Sequence, residues 1–195
     1  MRGAASFVHS IKLSMKKVIT EFFIVIAAVA MLGSCNTADP RKCFDVSVLN
    51  TNLYVGFADR GFLMQFEHPG VKLVEGTTDQ TATMKRVELL TEKIQFAEKN
   101  LAKIKAFRAT EDSKEVIAAS IKLHEFMIPV YKNEYLDLAE QFDSGAPAEQ
   151  IQKIALAIEA KYSGEFNKLY DDLIRKAKPY ASRNNIKVHW GDEHM

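Results

Sequence analysis

Residues 84–107 read MKRVELLTEKIQFAEKNLAKIKAF, and the spacing within this stretch decides the fold class. Val87, Leu90, Ile94, Ala97, Leu101 and Ile104 recur at intervals of three and four, which puts them on one stripe of an α-helix. Lys and Glu fill the opposite face, and neither Gly nor Pro interrupts the run. Thr78 or Asp79 suits the cap, and the end falls near Phe107–Arg108, so a helix of about 28 residues is expected.

Downstream the same period returns twice. Asp112-Ser-Lys-Glu115 has the form of a capping box, and Ile117, Ile121, His124, Ile128, Tyr131, Tyr135, Leu138 and Phe142 follow it in helical register. Pro129 lies inside this second helix. It removes one backbone donor and crowds the carbonyl of Glu125, but the stripe keeps phase on both sides, which predicts a kink and not a break. Asp143-Ser144-Gly145 ends it. Pro147 suits the first turn of a third helix carrying Ile151, Ile154, Ile158, Tyr162, Phe166, Leu169, Leu173 and Ala177 towards Pro179 and on to Ser182, with Asn184-Asn185 as its stop.

Upstream the pattern is mixed. Phe44-Asp-Val46-Ser-Val48 alternates as a strand would, whereas Val46, Leu49, Leu53 and Phe57 fit a helix. Three long amphipathic helices leave a groove that a fourth would fill, so residues 43–66 are expected to be helical. His68-Pro69-Gly70 and Glu75-Gly76-Thr77 then bound a loop of about ten residues. The expected fold is all-α: an up-and-down antiparallel bundle over residues 43–183, with three long helices and a fourth at the N-terminal side. Residues 184–195 form an extended tail, in which Ile186-Lys-Val-His189-Trp190 would fold back as a strap over the bundle end.

The first 34 residues read as an address and not as part of the fold. Lys16 and Lys17 precede an uncharged apolar run from Phe22 to Leu32, far short of the roughly 20 residues of a permanent membrane span. Leu32-Gly33-Ser34-Cys35 follows at once. This segment resembles the signal and lipobox of bacterial lipoproteins. The resemblance implies cleavage before Cys35, a diacylglyceryl group on its thiol and acylation of the new amine, so that residues 35–42 become a lipidated cysteine and a polar tether. Met15, directly before the lysines, is the expected true start in place of Met1. The residue after Cys35 is Asn36 and not Asp, and only Asp39 is acidic before Arg41 and Lys42. By the sorting signals of such lipoproteins this implies an outer-membrane anchor with the domain facing the periplasm.

Charge agrees with a membrane hold through lipid alone. The 195 residues carry 26 basic and 25 acidic side chains, a net of +1. Without Arg2, Lys12, Lys16, Lys17 and Glu21 of the first 34, there remain 22 basic and 24 acidic, a net of −2. Such a balance gives no attraction for nucleic acid or anionic lipid. The composition, 47% hydrophobic and 26% charged, is globular. With Cys35 lipidated, Cys43 has no partner for a disulfide and is expected to be a small half-buried residue.

Further resemblance lies in Ile104-Lys-Ala-Phe107 before an acidic turn, Tyr131 with Tyr135, and Phe166-Asn-Lys-Leu-Tyr170. Over residues 80–190 these are similar to an uncharacterised family of small helical bacterial surface lipoproteins. This implies an envelope location and a helical fold, and carries over no active site.

Catalytic chemistry is sparse. Ile121 stands where a Glu-x-x-His pair with His124 would need its carboxylate, so the ligand pattern of a di-metal bundle is missing. No His-Glu-x-x-His, Cys-x-x-Cys, phosphate-cradling glycine loop or Gly-x-Ser-x-Gly occurs. No enzyme activity, metal or cofactor is expected. His124, on an apolar stripe, reads as a neutral imidazole bonded to a tyrosine or a carbonyl in the core. Tyr131 and Tyr135, with Tyr162, Phe166 and Tyr170, share helix faces where the second and third helices would meet. They pack a core, or line a groove for an apolar ligand or partner helix. The expected function is a lipid-anchored, non-enzymatic interaction module whose partner is an envelope protein or cell-wall component. The alternative is a carrier holding a small apolar ligand between the helices.

Overall fold

A computed structural model describes residues 39–190; the signal-like segment, Leu32, Gly33, Ser34, Cys35 and residues 191–195 lie outside the described residues. Within them the fold is mainly α. In chain order come α1 (Pro40–Ser47), a 3-10 helix (Leu49–Tyr54), α2 (Arg60–Glu67), β1 (Val71–Leu73), β2 (Thr81–Thr83), α3 (Arg86–Lys105), α4 (Lys114–Val130), a π-helical segment (Tyr131–Tyr135), α5 (Leu136–Asp143) and α6 (Ala148–Arg183).

The expected start of α3 at Thr78 or Asp79 is corrected, as is the plain loop before it. Residues 81–83 pair antiparallel with 71–73, Lys72 opposite Ala82, and the ladder extends through Val74 N–H to the Gln80 carbonyl and Met84 N–H to that of Gly70. A three-residue strand is too short for its period to show against the helical pattern that follows. Two carboxylates then fix where the helix begins. Glu88 accepts from the Lys85 N–H at 3.1 Å, and Asp143, from the end of α5, accepts from Arg86 N–H at 3.0 Å and Val87 N–H at 3.1 Å. The Arg86 and Val87 donors of the first turn are thus satisfied from across the molecule, and the Lys85 N–H from within the helix.

Pro129 does not end its helix. The chain runs on, but the next turn widens into the π segment, and the Asn133 side chain donates to the Pro129 carbonyl at 2.8 Å. Pro147 stands as the cap of α6 and not within its first turn, and α6 runs for 36 residues through Pro179 to Arg183. Asn185, at φ +54°, turns the chain after it.

The single helix expected over 43–66 is replaced by three short helical pieces. Gly56 adopts φ +89°, and a Cβ there would come within 2.9 Å of the backbone of Gly61 and Phe62. Ala58 also has positive φ, +52°, and its N–H donates to the Tyr135 hydroxyl at 2.8 Å. No helix can run through such a corner. At the other end helical structure starts earlier than expected. Asp39 accepts from the Arg41 N–H at 3.0 Å and Pro40 opens α1, so Arg41 and Lys42 are helical and do not extend a tether.

α4 packs on α3 and α6, α5 packs on the same two helices, and α1 lies against α3 and α4. Lys105 pairs with Glu125, Glu98 with Lys132 and Arg86 with Asp143, so the partners on α3 run opposite to those on the following helical stretch. Asp112 with Arg183, Glu134 with Lys161 and Gln141 with Gln150 do the same for that stretch and α6. Phe44, Leu90, Ala97, Ile104, Leu123, Met127, Leu138, Leu173 and Ala177 form the buried centre. Beyond α6, Ile186, Val188 and Trp190 pack on this core outside any helix or strand, with the indole edge-on to Phe44 at 6.0 Å.

Candidate functional site

Five aromatic residues were candidates for a groove: Tyr131, Tyr135, Tyr162, Phe166 and Tyr170. The structure brings them close together and fills the space between them. Tyr131 and Tyr135 are buried, with ring centres 5.4 Å apart. Phe57, from the corner between the 3-10 helix and α2, sits 5.2 Å from Tyr131, 5.6 Å from Tyr135 and 4.7 Å from Phe166. Phe62 lies tilted against Tyr135, with ring centres 4.1 Å apart. An open groove at Tyr131 and Tyr135 is therefore corrected: the chain's own Phe57 and Phe62 occupy it. Burial raises the pKa of both hydroxyls, which keeps them neutral. Tyr162 and Tyr170 remain half-exposed at its margin, where Tyr162 bonds the Glu134 carboxylate and Tyr170 stacks on Phe166 at 5.9 Å. Sequence reasoning missed Phe57 and Phe62. Both lie in the mixed 43–66 stretch, whose period does not reveal which face a residue takes.

His124 is fully buried at the meeting of four elements. Its Nδ1–H donates to the Ser120 carbonyl at 2.8 Å, which leaves Nε2 to accept from the Asn100 amide at 3.0 Å. Asn100 also donates to the Val46 carbonyl at 2.9 Å and accepts from Asn50 at 2.6 Å. Ser120 donates to the Ser47 carbonyl at 2.7 Å, and Tyr54 meets the imidazole edge-on at 5.2 Å. Desolvation lowers the His124 pKa, so the ring is neutral. Every polar partner of the ring is an amide or a carbonyl. The seam ties α1 and the 3-10 helix to α3 and α4.

Cys43 is fully buried and not half-buried as expected, because α1 turns it inward beside Tyr180, and that burial raises its thiol pKa. Among the described residues no three His, Cys, Asp or Glu side chains converge as a metal-binding set. No helix among them is long and apolar enough to cross a membrane.

Several large apolar side chains are exposed, Leu53, Val55 and Leu156 among them. Val71 and Leu73 of β1 are 65% and 60% exposed, and Met64 of α2 is 59% exposed. Next to Met64, a cleft of about 580 Å³ opens between α2, the end of α5 and the start of α6, lined by Arg60, Leu63, Met64, Phe142 and Ile151. Arg86, at the start of α3, joins these parts by donating to the Phe66 carbonyl at 3.0 Å and pairing with Asp143. The start of α1 is elsewhere: the Tyr180 hydroxyl reaches the Pro40 carbonyl at 3.3 Å, one turn before the Arg183–Asp112 pair. α3, with 20 residues, separates the two regions by about 30 Å at ~1.5 Å per residue. The chain matches no protein-family model, no curated protein and no solved structure.

Proposed function

We propose that the chain is a lipid-anchored envelope protein whose helical domain is a non-enzymatic interaction module. The observation that carries the module reading is the exposure of Val71, Leu73 and Met64, on two elements that the Lys72–Glu88 pair and the Arg86 bond to the Phe66 carbonyl tie to the start of α3. Apolar side chains grouped on one end, beside a cleft, suit contact with another macromolecule. Lipidation at Cys35 would tether the domain at its opposite end. The helix cap at Asp39 leaves four residues after Cys35, a span of at most ~14 Å at about 3.5 Å per residue. The likeness of Leu32-Gly33-Ser34-Cys35 to a lipobox supports this reading, as does the near-neutral charge, which leaves adhesion to the lipid. The opposed order of ion-pair partners supports an up-and-down antiparallel bundle, which would hold the apolar end away from the bilayer. The anchor is assigned to the outer membrane, with the domain in the periplasm and an envelope protein or cell-wall component as partner. A carrier with its ligand between the helices is the weaker reading, since Phe57 and Phe62 take up the space such a ligand would need.

The test places a photo-crosslinking phenylalanine analogue at Leu73, and separately at Leu156 on α6, in intact cells. Discrete adducts from position 73 and none from 156 are expected. The same adducts from both positions, or none from 73, contradict an interaction end at the hairpin.

A further inference from the structure

Lys93 lies part-way along α3 with its amine drawn inward, half-buried between the 3-10 helix and α2. Its Nζ reaches the Leu53 carbonyl at 3.4 Å and stands 5.7 Å over the Phe62 ring. It takes part in none of the ion pairs among the described residues, whereas Lys105, further along the same helix, pairs with Glu125. Desolvation pushes its pKa down, and no opposing carboxylate pulls it back. A partly desolvated ammonium without a counter-ion is a cost to the fold that a bound anion would offset.

The amine borders a cleft of about 330 Å³ lined by Leu53, Tyr54, Leu89, Glu92 and Phe96. That volume lies at the small end of ligand pockets, which run ~300–1,000 Å³. Leu53 is 52% exposed and the neighbouring Val55 is 65% exposed, so an apolar wall stands open to solvent beside the cation. Glu92 is exposed at the rim and would repel a second negative charge. Together these features select a ligand with one negative charge and an apolar body.

We propose that this cleft binds an amphipathic monoanion, its carboxylate on the Lys93 ammonium and its apolar chain over Leu53, Leu89 and Phe96. The site is separate from the apolar hairpin end and depends on neither lipidation nor a protein partner. It also differs from a carrier site among the core aromatics, because the ligand would lie on the face of α3 and displace no core ring.

The full chain in lipid nanodiscs is titrated calorimetrically with octanoate and with octanol, with empty nanodiscs subtracted. Octanoate should saturate at one per chain, and octanol should bind roughly tenfold more weakly or less, as expected for loss of a charge-assisted hydrogen bond. Lys93→Met, which keeps the apolar stem, should weaken octanoate by about tenfold and leave octanol unchanged, while Lys93→Arg should retain octanoate binding. Octanoate affinity should fall as alkaline pH neutralises the amine. Equal affinity for octanoate and octanol in the wild-type chain overturns the proposal without any variant having to fold. Unchanged octanoate affinity in Lys93→Met, or no octanoate binding at millimolar concentration, overturns it as well.

Discussion

Tyr131 and Tyr135 sit one turn apart in the π segment, yet their hydroxyls meet different surroundings. The Tyr135 oxygen accepts the Ala58 N–H at 2.8 Å and so holds the left-handed corner that delivers Phe57 to the core. The Tyr131 oxygen is buried with no hydrogen-bond partner. Tyr135→Phe should therefore cost about 1–3 kcal/mol by orphaning a buried donor, while Tyr131→Phe should be neutral or stabilising. Urea midpoints of the two variants check this, and a larger loss for Tyr131→Phe would contradict it. His124 makes a pH prediction. Unfolded, the imidazole takes a proton near pH 6.5; folded, desolvation lowers its pKa, so the unfolded state gains the proton first as pH falls. Stability should be full above about pH 6.5 and decline below it, by up to ~1.4 kcal/mol per pH unit until the folded pKa is passed. His124→Leu should lose this component, so urea titrations at pH 7.5 and pH 5 should show the variant gaining on the wild type. A constant gap would contradict a neutral buried imidazole. Of the candidate site, the spacing made legible that Tyr131, Tyr135 and Phe166 converge and that His124 is a core histidine. It could not show that Phe57 fills the space between the rings, because that depends on two positive-φ residues, Gly56 and Ala58, in a stretch with no clear period.

Helix ends, not helix middles, carry the tertiary information among the elements. α3 takes its start from Asp143, a residue of α5, whose two carboxylate oxygens accept the Arg86 and Val87 N–H groups. Asp143→Ala should cost about 1–2 kcal/mol in urea unfolding, the range of a lost helix cap, and should be rescued only in part by Asp143→Asn, whose single acceptor oxygen can take one of the two N–H groups. No loss in the alanine variant would show that water replaces the cap. In the helix that holds Pro129, Pro129→Ala restores a donor for the Glu125 carbonyl, so stability should hold or rise, by at most ~3 kcal/mol. The buried Tyr131 and Tyr135 rings should keep the π segment in place, and near-UV circular dichroism should be unchanged; a large loss would mean that the proline itself sets the register. The three long helices were legible because each buries one stripe, and period 3.6 survives any error at the ends. The hairpin was not, since Val71–Leu73 and Thr81–Thr83 are three residues each and expose both faces. The first third broke into pieces for a similar reason: its corner is held by contacts to Tyr135, more than 70 residues away in the chain.

Over the whole molecule, the proposed reading would divide the work between two surfaces and one terminus. The terminal region next to Pro40 is where a lipid on Cys35 would hold the domain, the hairpin end would offer its exposed Val71 and Leu73, with Met64, to a partner, and the face of α3 would offer Lys93 to a small anion. Packing of Ile186, Val188 and Trp190 on the core covers the end that carries α1, as the edge-on contact of the indole with Phe44 indicates. Removing Trp190 should loosen α1: Trp190→Ala is expected to cost about 1–3 kcal/mol and to speed amide hydrogen exchange in Pro40–Ser47 more than in α3. Uniform exchange across both helices would contradict a strap. The central claim, anchoring through Cys35, is tested most directly by mass spectrometry of the N-terminal peptide from the protein made in its own envelope. The account predicts a peptide that begins at Cys35 and carries a diacylglyceryl group with a further acyl chain on its amine, and an unprocessed, unlipidated chain for Cys35→Ala. A mature N-terminus at any other residue, or an unmodified Cys35, would contradict it.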